Sequence, residues 1–134
     1  MDYEQLVQAA INAREKAYVP YSEFKVGAAI LTSDGKIIQG CNVENASYGL
    51  ANCAERTALF KAISDGDTDF VAMAVVADTD GPVAPCGACR QVLVELCPPR
   101  MPVVLSNLAN QTSLTTVHDL LPGAFTKEDL NDAD

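Results

Sequence analysis

Three cysteines and one glutamate in this chain have the spacing of a metal site that performs chemistry. Cys53 stands two residues before Glu55, and Cys86 and Cys89 follow downstream in a C-x-x-C pattern. Three thiolates can bind one zinc ion and leave its fourth tetrahedral position open, which is typical of catalytic rather than structural zinc sites. We therefore predict one zinc ion (Zn2+) per chain, bound by Cys53, Cys86 and Cys89, with the Glu55 carboxylate beside it.

A closed structural zinc site is the alternative that this ligand set leaves open. Cys41 or Cys97 would complete a set of four cysteines, and His118 would complete a set of three cysteines and one histidine. Glu55 counts against both sets, because a structural site has no use for an acid at the metal. Cys41 and Cys97 also lie in apolar patterns, where a free cysteine usually packs as a small hydrophobic residue. His118 lies in the short segment 117–121 and is expected to form local hydrogen bonds.

Two arginines adjoin the predicted metal site. Zinc with three thiolates carries one excess negative charge, which would weaken the metal as a Lewis acid. Arg56 follows Glu55 and Arg90 follows Cys89, so either guanidinium could donate hydrogen bonds to the sulfurs and offset this charge. We predict this role for Arg56. For Arg90 the question stays open, because neighbouring helix residues point about 100° apart and closeness in sequence does not establish contact.

The composition indicates one globular domain and disfavours binding to nucleic acid or membrane. The chain has 134 residues, 49% of them hydrophobic, and a formal net charge of −9, which repels phosphate backbones. We interpret residues 1–134 as a single domain with an acidic tail from about residue 126. No apolar stretch approaches membrane-spanning length, and the acidic start does not resemble a signal peptide. Because the cysteine pattern favours metal binding over disulfides, we predict a cytoplasmic protein.

Apolar periodicity predicts strands and helices in alternation. The predicted elements are a helix from the Asp2-x-x-Gln5 capping box to a point before Pro20, strands at 24–31 and 37–43 around an Asp34-Gly35 turn, a helix at 53–64 closed near Gly66, a buried strand at 70–77, a helix from 86 that ends before 98, and strands at 103–105 and 113–116. Strands joined through a helix are expected to pair in parallel. We therefore predict an α/β fold with three layers, α/β/α, around a mixed, roughly five-stranded sheet. Cys53 and Cys86 then open two helices, whose positive ends favour thiolates at one spot.

Four segments of the chain carry a family resemblance. They are Phe24-Lys25-Val26-Gly27-Ala28-Ala29, Gly40-Cys41-Asn42-Val43-Glu44-Asn45-Ala46, Cys53-Ala54-Glu55-Arg56-Thr57-Ala58 and Pro85-Cys86-Gly87-Ala88-Cys89-Arg90-Gln91. In this order they resemble the cytidine deaminases, specifically their short-chain, homotetrameric, zinc-dependent type. The resemblance covers nearly the whole chain, and the use of three cysteines as ligands is itself typical of the short-chain type.

The resemblance implies a reaction and a role for each site residue. It implies hydrolytic deamination of cytidine and 2′-deoxycytidine to the corresponding uridines and ammonia, a step of pyrimidine salvage. Cys53, Cys86 and Cys89 would bind zinc, and Glu55 would shuttle protons from water to ring nitrogen N3 and to the departing amine. The implied substrate contacts are Phe24 as an aromatic wall, Asn42 and Glu44 at the ribose hydroxyls, the backbone of Ala54 at the base, and Phe125 from a neighbouring subunit.

Three other functions would use similar residues. A deaminase of another cytosine-containing small molecule, such as a nucleoside antibiotic, would share the zinc and the glutamate, but Asn42-x-Glu44 and Phe125 favour a nucleoside. A deaminase that edits nucleic acid needs a basic path for a strand, against which the net charge of −9 argues. A non-catalytic zinc module would release no ammonia from cytidine.

The second predicted helix has a wide apolar surface. Its apolar residues are Ala54, Ala58, Leu59, Phe60, Ala62 and Ile63, which form a broader arc than a single sheet-facing stripe needs. We predict that one side packs on the sheet and the other on a second subunit, although the chain's own loops could cover it instead. Phe125 would then complete the site of a neighbouring subunit; its alternative role is to pin the tail onto its own domain.

Overall fold

A five-stranded sheet with helices on both faces organises residues 3–127, the part of the chain that this computed structural model describes. The elements in chain order are α1 (Glu4–Arg14), β1 (Val26–Thr32), β2 (Ile37–Cys41), a 3-10 turn (Tyr48–Leu50), α2 (Ala54–Ser64), β3 (Phe70–Ala77), α3 (Gly87–Leu96), β4 (Pro102–Asn107), β5 (Thr112–Thr116) and α4 (Val117–Leu120). Most of the acidic tail predicted from about residue 126 lies outside the described residues. Within residues 3–127, no helix combines the length and apolar character needed to cross a membrane.

The sheet is mixed, and its strand order is β2-β1-β3-β4-β5. β1 pairs antiparallel with both β2 and β3, β3 pairs parallel with β4, and β4 pairs antiparallel with β5. The expectation of parallel pairing across a helix is therefore right for β3–α3–β4. It is wrong for β2–α2–β3, because β1 lies between those two strands. The predicted Asp34-Gly35 turn joins β1 to β2, with Gly35 at a φ of 89° that glycine adopts without strain.

The side chains of β3 alternate between two apolar layers. Met73 and Val75 pack in the core cluster that includes residues of α2 and α3, whereas Ala72 and Ala74 pack in the cluster that includes residues of α1. None of these four side chains is more than 1% exposed. Because successive strand residues point to opposite faces, α1 covers one face and α2 and α3 cover the other. The predicted three-layer α/β/α fold is confirmed, and so is the buried strand at 70–77.

The first helix begins one residue later than its predicted capping box implies and ends, as predicted, before Pro20. α1 begins at Glu4, after a Tyr3 N-cap that makes no side-chain capping bond, and Asp2 of the predicted capping box lies outside the described residues. The helix ends at Arg14, well before Pro20. The amide of Ala17 donates to the Arg14 carbonyl three residues back at 3.1 Å, so the chain tightens into a turn instead of continuing as an α-helix.

Two glycines allow the helices to lie directly on the sheet. A Cβ at Gly40 would lie 2.4 Å from the amide nitrogen of Ala58, and a Cβ at Gly27 would lie 1.9 Å from the carbonyl oxygen of Ala10. Any side chain at these positions would force the helix away from the strand. Gly40 matters most for function, because it lets β2 support α2, the helix that carries Glu55 in its first turn.

Candidate active site

The sulfur atoms of three cysteines converge at the N-terminal ends of α2 and α3. Sγ of Cys86 lies 3.5 Å from Sγ of Cys53 and 3.3 Å from Sγ of Cys89, and all three lie within 4.8 Å of one another. Cys53 and Cys86 are the N-cap residues of α2 and α3. Each helix therefore begins one residue later than predicted. Two positive helix ends therefore point toward the sulfurs and favour a thiolate there. The pKa of Cys53 is lowered, whereas the hydrogen bond with Cys53 and burial raise the pKa of Cys89.

The fourth ligands that a closed site would need lie elsewhere in the fold. Among residues 3–127, the group of side chains that could hold a metal ion contains Cys53, Cys86 and Cys89, and neither Cys41, Cys97 nor His118. Cys97 lies in the core, and burial raises the pKa of its thiol to about 12. The His118 ring is exposed, with Nδ1 3.4 Å from the Asp119 carboxylate. The described residues thus form a three-sulfur site, not a closed four-ligand one.

The Arg56 guanidinium lies against this sulfur group. Its Nη2 donates to Sγ of Cys53 at 3.3 Å, while its Nε is buried without a hydrogen-bond partner. A hydrogen bond from Cys89, together with the bond from Arg56, lowers the pKa of Cys53 to about 5. The structure therefore puts a fixed positive charge where three thiolates would need one, although its effect on catalysis stays a prediction.

Arg90 has different partners, which answers the question that the sequence left open. Its Nε donates to the Pro85 carbonyl at 3.0 Å and its Nη1 donates to the Leu120 carbonyl at 2.9 Å. These bonds tie the loop before Cys86 to α4. Arg90 thus holds the backbone that carries the predicted ligand Cys86, and its charge is directed to carbonyl oxygens instead of to sulfur.

Glu55 is buried beside the sulfurs at the start of α2. Its side chain is 3% exposed, and it is not a member of the three-sulfur group. Burial raises the pKa of its carboxyl, against hydrogen bonds with its own backbone amide and with Cys89. A carboxyl in this position can exchange protons with a molecule at the sulfurs without itself being a ligand.

The donor set fits a zinc ion. In a tetrahedral site with Zn–S bonds of about 2.3 Å, neighbouring sulfurs lie about 3.8 Å apart, close to the separations of 3.3 and 3.5 Å found here. The positive charge of the Arg56 guanidinium, which donates to the Cys53 sulfur, also matches the excess negative charge that three thiolates leave on one zinc ion. Cys53, Cys86 and Cys89 can therefore hold the metal together after a small outward movement of their sulfurs.

Asn42 and Phe24 lie together next to the sulfur site. Val43 forms an isolated antiparallel bridge with Asn52, a register that places Asn42 across from Cys53. The Asn42 side chain donates to the Phe24 carbonyl at 2.8 Å and accepts from the backbone N–H of Val26 at 2.9 Å. Phe24 lies before β1 rather than within it and is 41% exposed. An exposed ring at this place is available to a bound molecule.

Glu44 is held by the loop that precedes Phe24. Its Oε1 accepts from the backbone amides of Tyr21 and Ser22, each at 3.1 Å, and its Oε2 accepts from the Ser22 hydroxyl. The bond from the Ser22 hydroxyl is the main cause of a lowered pKa for Glu44. Burial acts in the opposite direction, and the two backbone bonds lower the pKa further. Sequence reasoning missed Ser22, because no local pattern links it to an acid that follows 22 residues later.

The remaining candidates are Ala54 and Phe125. Ala54 is fully buried in the first turn of α2, which leaves its backbone as its means of contact. The Phe125 ring is 60% exposed, and its carbonyl accepts from Gln91 Nε2 of α3 at 2.9 Å. Gln91 was also missed, although it lies within a segment that carries the family resemblance. Its bond connects Phe125 to α3, the helix that follows Cys86 and contains Cys89.

Comparison with known proteins identifies the family. Residues 1–105 match the family described as the cytidine and deoxycytidylate deaminase zinc-binding region. The chain belongs to this family. The resemblance found in the four sequence segments is thereby confirmed, together with the prediction of a zinc-dependent deaminase.

Individual relatives support the same assignment over the full chain. The chain is 64% identical to a cytidine deaminase of Halalkalibacterium halodurans over 132 residues, which are 98% of this chain and 100% of that protein. The crystal structure of cytidine deaminase from Burkholderia pseudomallei matches with a TM-score of 0.91 and 60% identity, covering 93% of this chain and 100% of that one. A blasticidin-S deaminase of Bacillus cereus is 32% identical over 125 residues, 86% of this chain and 88% of that protein. This blasticidin-S deaminase is thus a more distant relative than the other two proteins.

Proposed function

We propose that this chain hydrolyses cytidine and 2′-deoxycytidine to uridine and 2′-deoxyuridine with release of ammonia. The observation that carries the proposal is the buried Glu55 carboxyl beside the sulfurs of Cys53, Cys86 and Cys89. An acid–base group next to a zinc site with three protein ligands suits the addition of water to an amidine carbon and the loss of an amine.

We assign the binding of zinc to the three cysteines. When bound, zinc supplies a Lewis acid that makes water a nucleophile near neutral pH. Cys53, Cys86 and Cys89, which lie at the N-terminal ends of two helices, would hold it. Arg56, which donates to the Cys53 sulfur at 3.3 Å, offsets part of the thiolate charge that would otherwise oppose this chemistry.

Glu55 moves the protons of the reaction. Its carboxylate accepts a proton from the attacking water and delivers it to ring nitrogen N3 while the new C–O bond forms at C4. It then accepts the remaining hydroxyl proton and delivers it to the amino group. The C4–N bond breaks, ammonia leaves with the bonding electron pair, and the C4 carbonyl of uridine forms. One buried carboxyl can serve both steps because it accepts and donates in turn.

The other site residues hold the substrate. We assign the ribose hydroxyls to Asn42 and Glu44, and the base to the Phe24 ring and the Ala54 backbone. The bridge between Val43 and the residue before Cys53 supports this assignment, because it keeps the predicted ribose contacts close to the predicted zinc ligands.

Substrate choice tests the proposal. Cytidine and 2′-deoxycytidine are expected to react, whereas cytidine monophosphate and cytosine in single-stranded DNA should have kcat/KM values lower by about 100-fold or more, because a net charge of −9 repels phosphate. Ultraviolet absorbance follows cytosine loss for all four substrates. Comparable constants for nucleoside and nucleotide, or faster turnover of a cytosine-containing antibiotic than of cytidine, would contradict the proposal.

We further propose that the chain is one domain and acts as a cytoplasmic homotetramer in pyrimidine salvage. The outer side of α2 supports assembly: Phe60 and Ile63 are 46% and 37% exposed, while Ala58 and Leu59 on the inner side are fully buried. Exposed apolar side chains on a helix beside the site are suited to contact with another subunit. The exposed Phe125 ring is likewise available to a neighbouring site.

A further inference from the structure

The loop between Val19 and Phe24 is held in an uncommon conformation. Glu23 has a φ of 59°, in the left-handed region that residues other than glycine rarely adopt. Its N–H donates to the Val19 carbonyl at 2.9 Å, and the Phe24 N–H donates to the Ser22 hydroxyl oxygen at 3.0 Å. Hydrogen bonds on both sides of Glu23 therefore maintain the loop, and backbone strain maintained in this way is concentrated at functional sites.

The Ser22 hydroxyl joins this loop to Glu44. The hydroxyl donates its one proton to Oε2 of Glu44 and accepts from the Phe24 amide. It thus bonds to one residue assigned to the sugar and to another assigned to the base. The two backbone amides on Oε1 of Glu44 anchor the same carboxylate, but neither of them belongs to Phe24.

The number of bonds on Glu44 leaves room for a substrate hydroxyl. A carboxylate offers about four lone-pair positions, and the amides of Tyr21 and Ser22 with the Ser22 hydroxyl occupy three. One position remains for a further donor. The Glu44 side chain is partly exposed, so without these bonds it would have to be ordered when the substrate binds. Bonds made in advance reduce the free-energy cost of ordering this side chain on binding.

We propose that Ser22 is a positioning residue for sugar recognition, whose hydroxyl holds the Glu44 carboxylate so that its free acceptor position meets a sugar hydroxyl. This inference rests on the proposed function, which assigns Glu44 to the sugar and Phe24 to the base. The Ser22 hydroxyl bonds to Glu44 and to the Phe24 amide rather than to the sulfur site. Its loss should therefore weaken binding of the sugar and leave the chemical step nearly unchanged.

The test compares cytidine with a nucleoside that lacks the 2′- and 3′-hydroxyls, in the zinc-loaded enzyme. Ser22→Ala is expected to raise KM for cytidine about tenfold, the order of one hydrogen bond to a charged group, with kcat within about twofold of wild type. The competitive inhibition constant of 2′,3′-dideoxycytidine, which lacks both hydroxyls, should change by less than about twofold. Ser22→Thr keeps the hydroxyl and should restore most of the affinity for cytidine. Ser33→Ala, in the exposed turn at the far end of β1, is the matched control.

A parallel Glu44→Gln variant separates failure of this inference from failure of the assigned sugar contact. If Glu44→Gln weakens the binding of cytidine and of dideoxycytidine equally, the assignment of Glu44 to the sugar is wrong. If Glu44→Gln weakens cytidine selectively while Ser22→Ala matches wild type, the role of Ser22 is overturned and the proposed function stands. Equal losses of affinity for both compounds in Ser22→Ala, or a fall in kcat alone, also overturn the proposed role of Ser22. Ser22→Cys, a weaker donor of similar size, replaces the alanine variant should that variant not fold, and the same outcomes apply.

Discussion

At the scale of single residues, Glu55 and Cys53 are expected to fail in different ways when they are replaced. Glu55→Ala should keep one zinc ion per chain and lose activity by about 10²–10⁴-fold or more, because the proton shuttle is removed and the ligands are not. Cys53→Ala should lose both zinc and activity, because metal binding depends on the deprotonated ligand set. Zinc content by atomic absorption and ammonia release are the two measurements. Loss of zinc from Glu55→Ala, or full activity with full zinc, would show that Glu55 has another role.

Arg56 and Arg90 form a natural pair of variant and control. Arg56→Gln should keep the fold and lower activity about 10–100-fold, because the Cys53 sulfur loses a charged donor. Arg90→Gln should mainly lower Tm, because Arg90 donates to the carbonyls of Pro85 and Leu120. Zinc affinity, activity per bound zinc and thermal unfolding are measured for both. An Arg56→Gln variant with wild-type activity and affinity would mean that the helix ends compensate the thiolates without it.

At the scale of elements, the contact between β2 and α2 decides where Glu55 lies. Gly40→Ala places a Cβ 2.4 Å from the Ala58 amide nitrogen, so strand and helix must separate. We expect a loss of about 1–3 kcal/mol in the free energy of unfolding, as for other overpacked cores, together with a lower kcat because α2 carries Glu55. Urea unfolding and steady-state kinetics measure the two effects.

Gly49→Ala is the control for the Gly40 variant. A Cβ at Gly49 would meet no atom within 4 Å, and the residue does not have a positive φ. Its stability should stay within about 0.5 kcal/mol of wild type, as is usual for surface substitutions. Equal stability of the two alanine variants would show that the sheet and helix can adjust around Gly40 at little cost.

At the scale of the whole molecule, the shared pocket is the strongest consequence of the proposed tetramer. If Phe125 acts in a neighbouring subunit, each pocket combines Glu55 of one chain with Phe125 of another. Glu55→Ala and Phe125→Ala, unfolded and refolded together in equal amounts, should then recover activity in about one quarter of the pockets, those in which both residues are intact. Variants refolded separately and then mixed are the control.

Native mass spectrometry would establish that mixed oligomers have formed. In such samples, activity no greater than the sum of the separate variants would place Phe125 in the pocket of its own chain, or outside the pocket altogether. Placement outside the pocket would agree with a role of Phe125 in holding the C-terminal segment, which the bond from Gln91 to the Phe125 carbonyl also supports.

Several features of the fold and site could be predicted from the sequence because they depend on neighbours along the chain. The uncharged run 70–77 is buried on both faces of the sheet, as its apolar character indicates. Asp34-Gly35 forms its turn because glycine adopts a positive φ without strain. Cys53 and Cys86 precede their helices closely enough that the spacing alone predicts sulfurs at two helix ends.

Other features were decided only by tertiary structure, because they join residues that are distant in the chain. Strand periodicity does not specify partners, so the placement of β1 between β2 and β3 could not be read from the patterns. The same holds for Arg90, whose second carbonyl partner lies 30 residues downstream, and for the Ser22–Glu44 bond. The sequence by itself determined the chemistry of the site, since that follows from residue types and local spacing. Packing determined which charged and polar groups reach the sulfurs, because that depends on how the helices and loops lie against one sheet.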